Sequence, residues 1–310
     1  MVLPDQNRSS SMATEAVWEV PEPLSTCEVR LDAETVTTVR QHGNPSGPRV
    51  FVSHASGLAT DLYYPYWSLL ADDYDLMVYD LRNHGWNSVG PQWKHNVPTL
   101  IHDHDTILEA IDRVYGSKLT VGVFHSLTTI VALLSVNKFY SALVLFDPPL
   151  TRAGMSQREQ LEAAERTAAA YRQRAHRFRK REDFVELLRM FPMFRRSVPG
   201  VRELMARTTL RRSASGEGYE LRCPPEYEAQ LMLYCRSFFP LLDLDLLECP
   251  TKFIGADPTI PHAYLPALDP RLASLVDYDF IPEATHMLPL EKPEECAALT
   301  REFLERHGLA

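Results

Sequence analysis

No run of the sequence approaches the roughly 20 consecutive apolar residues that a membrane helix needs, so no membrane span is expected. Positive charge is in deficit, with 32 Lys and Arg against 41 Asp and Glu and a formal net charge of −9. That balance gives no reason to expect a nucleic-acid partner. Cysteine is sparse. The five residues Cys27, Cys223, Cys235, Cys249 and Cys296 are odd in number, and no two have CxxC spacing. They fit free, mostly buried thiols in a reducing cytoplasm better than a disulfide frame or a zinc site. The opening MVLPDQNRSSSMATEAVWEV has no basic stretch followed by an apolar one, so no secretory signal is expected. The closing ERHGLA shows no lipidation or retention signal. No internal repeat is present.

What is there is patterned. Residues 1–15 are polar and unpatterned and read as a disordered tail. CEVRL and TVTTVRQ alternate and are rich in β-branched residues, as an opening hairpin requires. Six short runs follow that are apolar on both faces: 48–55, 74–80, 119–125, 142–149, 251–257 and 276–286. Such runs belong to a parallel sheet covered by helices on both sides. Segments 97–116, 126–140 and 293–308 have helical spacing and lie between or after them. Strands alternating with helices predict a doubly wound, mostly parallel α/β sheet.

The alternation stops between about Leu150 and Phe239. Leu161, Ala164, Ala168, Tyr171, Ala175 and Phe178 step by three or four, which predicts one long amphipathic helix without a clear strand. The stretch holds 18 Lys and Arg against 11 Asp and Glu, whereas the remainder is acidic. It reads as an inserted helical cap. The expected division is a core of residues 16–150 and 239–310 with a cap of 151–238. The basic face of the cap reads as a solvated surface balancing the acidic core.

Three polar residues stand at the C-terminal ends of runs, where open α/β sheets hold their sites. GVFHSLTT carries Ser126 at a strand-to-helix junction. TKFIGADPTIP places Asp257 after a late strand. FIPEATHMLPLEKPEE puts His286 in a loop before the last helix. Serine, acid and histidine in that order are what nucleophilic acyl transfer needs: a nucleophile, a base to take its proton and a carboxylate to orient the base. Asp147, in LFDPP, is the alternative acid, at the end of the preceding strand. HDHD at 102–105 does not put its ligands on one helix face, so no metal is read there.

With VFVSHASG, YDLRNHGWNS, the HS at 125–126, the DP at 257–258 and the TH at 285–286 in this order, the chain resembles an α/β-hydrolase of the esterase/lipase type over roughly residues 25–308. The resemblance implies a serine hydrolase that cleaves carboxylic esters through an acyl-enzyme and needs no cofactor. It also implies oxyanion donors at the backbone N–H of Ser56, from the HASG loop, and of Leu127, directly after the nucleophile. Ala55 stands where that loop has glycine. Phe124 and Thr128 replace both glycines of the usual G-x-S-x-G turn, and Phe124 is expected to reshape the pocket. Phe184, Leu187, Leu188 and Phe191 are the cap's candidates for an apolar acyl or aryl group. His54 and His125 are expected to serve structure. The expected partner is a small-molecule ester, and a homodimer is left open. A carbon–carbon bond hydrolase, thioesterase, lactonase or amidase with the same triad stays open. So does a non-catalytic binding protein on a hydrolase scaffold, which Phe124 filling the nucleophile pocket would favour.

Overall fold

A computed structural model describes residues 17–135, 139–150, 156–260 and 274–310. The expected tail, 1–15, lies outside them. Eight strands form one sheet in the order β1 (Ser25–Arg30), β2 (Val36–Gly43), β4 (Asp75–Val78), β3 (Arg49–Val52), β5 (Thr120–His125), β6 (Ala142–Phe146), β10 (Thr251–Gly255) and β11 (Asp277–Phe280). β1 pairs antiparallel with β2, and β2 with β4; the remaining pairs are parallel. The sequence-based expectation of a doubly wound, mostly parallel sheet is met.

Side chains alternate between the two faces with the strand period of two. Val50, Val52, Val121, Val123, Val144 and Phe146 join a core that includes Phe303 and Leu304 of the last helix. Phe51, Phe124, Leu143 and Leu145 join another with Ile107, Leu108 and Ile111. The latter come from α2 (Val97–Tyr115), which starts where Asn96 caps the N–H of Thr99 at 3.0 Å and ends before Gly116. A short helix, α1 (Tyr64–Trp67), contributes the buried Tyr66 and Trp67. α3 (Leu127–Leu134) is shorter than the expected 126–140, and residues 136–138 of that span are outside the description.

The segment between β6 and β10 carries α4 (Gln157–Gln173), α5 (Arg181–Met190), α6 (Val201–Thr208) and α7 (Pro225–Tyr234). The expectation that this stretch lacks strands is corrected. β7 (Arg177–Phe178), β8 (Leu210–Arg212) and β9 (Tyr219–Leu221) form a small antiparallel sheet in the order β7-β9-β8. α4 therefore stops at Gln173, and Phe178 leaves the helical stripe to stack on Phe184 at 4.9 Å. The chain closes with α8 (Leu288–Glu291) and α9 (Pro293–Arg306).

Phe124 shows how the sheet accommodates a ring beside the β5 turn. Residues i and i+2 of a strand share a face, so the ring lies over Gly122. A Cβ at Gly122 would sit 2.5 Å from Phe124 Cε2, 2.7 Å from Leu143 Cδ2 and 2.8 Å from Tyr140 Cε1. The room that the turn normally gains from a glycine at 124 is supplied two residues earlier. Gly122→Ala is accordingly expected to cost about 1–3 kcal/mol through overpacking. Urea denaturation should show part of that loss recovered when Phe124→Leu is added. An unchanged midpoint for Gly122→Ala would refute the packing account.

Candidate active site

β5 ends at His125, and the next residue, Ser126, has φ 56° and ψ −117° before α3 begins. A serine is held in such a sparsely populated conformation only when its surroundings over-determine it. Its N–H continues the sheet by bonding Phe146 O at 3.0 Å. Thr128 braces the turn from the other side. Its Oγ1 accepts from His125 N–H at 3.1 Å and donates to His125 O at 2.9 Å. The hydroxyl thus ties together backbone groups that a glycine there would leave to other partners.

His286 Nε2 lies 2.9 Å from Ser126 Oγ, and His286 Nδ1 lies 2.6 Å from Asp147 Oδ2. The acid expected at Asp257 is corrected by this geometry: the carboxylate on His286 is that of Asp147. Asp147 is fully buried, and its other oxygen accepts from Ala256 N–H at 3.3 Å. Asp257 is committed elsewhere. Its Oδ1 accepts from Thr259 N–H at 2.8 Å and Thr259 Oγ1 at 2.6 Å, and its Oδ2 accepts from Glu283 N–H at 2.8 Å. The hydroxyl of Thr259 and the amides of Glu283 and Thr259 hold its carboxyl below the usual range. Asp257 thereby fastens the turn that leads to His286 without touching the imidazole.

The histidine loop is held at two further points. Glu291, buried in α8, accepts from Thr285 N–H at 2.7 Å and Thr285 Oγ1 at 2.6 Å. His125 Nε2 lies 2.8 Å from His286 O, and its Nδ1 lies 2.6 Å from Tyr63 Oη. The network requires Nε2–H to donate to the carbonyl and Nδ1 to accept the phenol proton. Tyr63 Oη in turn accepts from Ala55 N–H at 3.1 Å. One chain of hydrogen bonds therefore runs from the HASG loop to the backbone of His286.

In that loop, Ala55 N–H is taken by Tyr63, and Gly57 N–H by His84 Nε2 at 2.9 Å. Ser56 N–H, between them, has no partner among the described residues, and Ser56 Oγ is buried without one. Leu127 opens α3, where a first-turn N–H has no intrahelical acceptor. His54 ties the loop down as expected, with Nδ1 at 2.8 Å from Ala55 O and Nε2 accepting from Leu81 N–H at 3.1 Å.

Among the apolar candidates, Phe184 and Leu188 are buried in the core that also holds Ala55, Leu58 and Met287, with Leu187 packed against it. Phe191 is 44% exposed and stands apart. Phe124 is corrected: it packs against His104 and Tyr140 on the far face of the sheet, not in a pocket at Ser126. The HDHD residues diverge, Asp103 to Arg82, His104 to Tyr79 and Tyr140, and Asp105 to Ser135. Sequence reasoning missed Tyr63, Thr128 and Glu291 as positioning groups. Tyr63 had a signal as part of the aromatic run YYPYW, and Thr128 as a departure from the usual glycine of the turn; Glu291 had none.

Comparisons with known proteins agree with this fold. A family model described as the alpha/beta hydrolase family matches residues 42–299. No curated protein matches the sequence. Similar solved structures include an E-2-(acetamidomethylene)succinate hydrolase, with a TM-score of 0.73 and 17% identity, covering 91% of this chain and 99% of that one. A thioesterase domain from the curacin biosynthetic pathway has a TM-score of 0.68 and 17% identity, covering 90% and 99%. An esterase from Thermogutta terrifontis has a TM-score of 0.61 and 20% identity, covering 91% and 99%. No helix among the described residues is long and apolar enough to cross a membrane.

The site rests on imidazoles that burial keeps neutral. Desolvation lowers His54, His84 and His125, and takes His95 and His104 down to about 3. Unfolded histidines protonate near 6.5, so folding is fully favoured above that pH. As pH falls below it, the unfolded state gains protons that the folded state refuses. Each such histidine then removes up to about 1.4 kcal/mol of stability per pH unit. Denaturation midpoints are expected to be flat between about pH 7 and 8 and to drop steeply from about 6.5 towards 5. A midpoint that rises on acidification would contradict the neutral network.

Proposed function

The chain belongs to the alpha/beta hydrolase family, and from that premise we propose that it is a serine hydrolase cleaving carboxylic esters through an acyl-enzyme. The observation that carries this reading is the continuous set of contacts from Ser126 Oγ through His286 to Asp147. In this reading Ser126 Oγ attacks the ester carbonyl while His286 Nε2 takes its proton. Asp147 keeps the Nδ1 proton in place and stabilises the imidazolium that forms. The N–H groups of Ser56 and Leu127 receive the developing oxyanion, a role in which losing one donor costs about 100- to 1000-fold in rate. His286 then returns its proton to the leaving alcohol. Water, deprotonated by the same nitrogen, releases the acid and restores Ser126.

Phe184 and Leu188 of the cap, continuous with Ala55 and Met287, support an apolar acyl or aryl group as substrate. The placement of Phe124 away from Ser126 removes the argument for a blocked, non-catalytic scaffold. An alcohol leaving group suits the site because His286, protonated during the attack, is a general acid within reach of it. A thioester would need no stronger acid.

A fluorophosphonate probe is expected to label Ser126, read by intact mass and peptide mapping, and Ser126→Ala should abolish both labelling and turnover of phenyl esters. Full esterase activity in Ser126→Ala would sink the assignment. The two aspartates separate cleanly. Asp147→Asn is expected to lower kcat by up to about 10,000-fold, since it misorients the histidine tautomer. Asp257→Asn should act mainly on stability and leave kcat within about 10-fold, because it loses acceptors for the Thr259 and Glu283 amides and the Thr259 hydroxyl, none of which touches His286. The reverse ranking would return the acid role to Asp257.

A further inference from the structure

We propose that His84, His95 and Cys223 form a binding site for a soft divalent cation of the zinc type, which clamps the inserted cap to the core. One donor atom from each residue lies within 4.8 Å of the other two. All three side chains are buried. His95 Nε2 and Cys223 Sγ already face each other at 3.9 Å. In a tetrahedral zinc site, bonds of about 2.3 Å to sulfur and 2.0–2.1 Å to nitrogen put those atoms roughly 3.6 Å apart. Closing around an ion therefore needs only a few tenths of an ångström from this pair and about 1 Å from the most distant one. Imidazole and thiolate donors together select zinc-like ions over magnesium or calcium, which take oxygen.

His84 already has the outer partner that a metal-bound imidazole needs, its Nδ1 donating to Arg82 O at 2.9 Å. Asn83 Nδ2 donates to His95 Nδ1 at 3.0 Å, which fixes that ring and leaves Nε2 turned to the sulfur. Because Nδ1 accepts there, the neutral ring carries its proton on Nε2; ligation through Nε2 moves that proton to Nδ1, and the Asn83 amide must turn its oxygen to the ring and give up its bond from Gly90 N–H, since a metal-bound histidine donates from its second nitrogen. Glu228 is fully buried beside Gly57, with Oε1 held by Arg174 and Oε2 without a partner among the described residues. An incoming cation displaces the Cys223 proton to solvent and leaves the thiolate, so one dication gained for one proton lost adds one net positive charge at the site. A pocket of about 390 Å³ borders the site at His95 and is walled by Val97 and Pro98 from the core and by Leu231, Tyr234 and Phe238 from the cap side.

The donors come from both parts of the chain. His84 and His95 lie on the long connection after β4, whereas Cys223 lies between β9 and α7. His84 has both nitrogens occupied, Nε2 by Gly57 N–H and Nδ1 by Arg82 O at 2.9 Å, so ligation replaces one of these bonds. If Nε2 is the ligand, the amide next to Ser56 is released and the hydrolytic site feels the ion.

Cobalt(II) titrated into the metal-free full-length protein at mildly alkaline pH tests the site without reference to activity. One equivalent is expected to give the intense near-ultraviolet charge-transfer band of a cobalt–thiolate bond. Zinc should bleach it with the same stoichiometry and raise the melting temperature by several degrees. Cys223→Ser should lack the band, His95→Asn should bind at least 10-fold more weakly, and Cys249→Ser should behave as the parent. Absence of the band in the folded parent protein, or its persistence in Cys223→Ser, overturns the proposal. Because Ser126→Ala should keep the band, failure of the hydrolase reading leaves this result untouched.

Discussion

The hydrogen-bonded register of β5, β6 and β10 is the constraint on which the candidate site depends. His125 pairs with Phe146, and Phe146 with Ile254, so the residues that follow β5 and β6 emerge level on neighbouring strands. Those residues are Ser126 and Asp147. The ladder continues past the strand ends, with Ser126 N–H on Phe146 O and Asp147 N–H on Ile254 O, and both residues take positive φ. Neighbouring strands lie about 4.8 Å apart, close enough for one imidazole to bridge two such residues. A slip of one residue would turn every side chain to the other face and separate them. The burial of alternate residues on both faces of β5 and β6 fixes the register against that slip.

Much of this was legible before the structure. The parallel sheet, the hairpin at its edge, the serine and the histidine all follow from apolar runs and from what stands at their ends. The choice between Asp147 and Asp257 was not, because both follow a buried strand and precede a proline. What separates them is how the chain returns after β11, and no local pattern records that. Asp257 spends its carboxylate on Thr259 and on the amide of Glu283, which draws the following turn back over the sheet. His286 is thereby delivered to Asp147. In strand terms, Ser126 and Asp147 are each the first residue beyond their strands, whereas Asp257 is the second beyond β10. The small cap sheet was hidden for a related reason. β7, β8 and β9 are two or three residues long, too short for a period of two to show.

Buried polar groups do the remaining alignment, and they do so while uncharged. His125 has to be neutral to accept from Tyr63 and donate to His286 O at once; a second ring proton would meet the phenol proton. Burial enforces this, lowering His125 and raising Tyr63, so each keeps the protonation state that the chain of bonds needs. Desolvation costs stability when a charge must form, but here it selects one tautomeric arrangement and makes the loops rigid. The cap joins the same system by contact. A Cβ on Gly57 would lie 2.2 Å from Glu228 Oε2, so only glycine, at φ +79°, lets α7 approach the loop that carries Ser56.

The departures from G-x-S-x-G then acquire a physical meaning. The turn needs room for the strand before the serine and firm anchors for a strained residue; it does not need glycine as such. Gly122 supplies the room, because the Phe124 ring is received over it on the far face of the sheet. Thr128 supplies an anchor, because its hydroxyl closes on both backbone groups of His125. Reading the turn residue by residue suggests a broken motif, since each glycine is missing where it is sought. Reading it as a volume and a set of hydrogen bonds finds the requirements met by neighbours. The positive φ of Ser126 is the sign that they are met, for a serine with slack anchors would relax to an ordinary helix cap at negative φ.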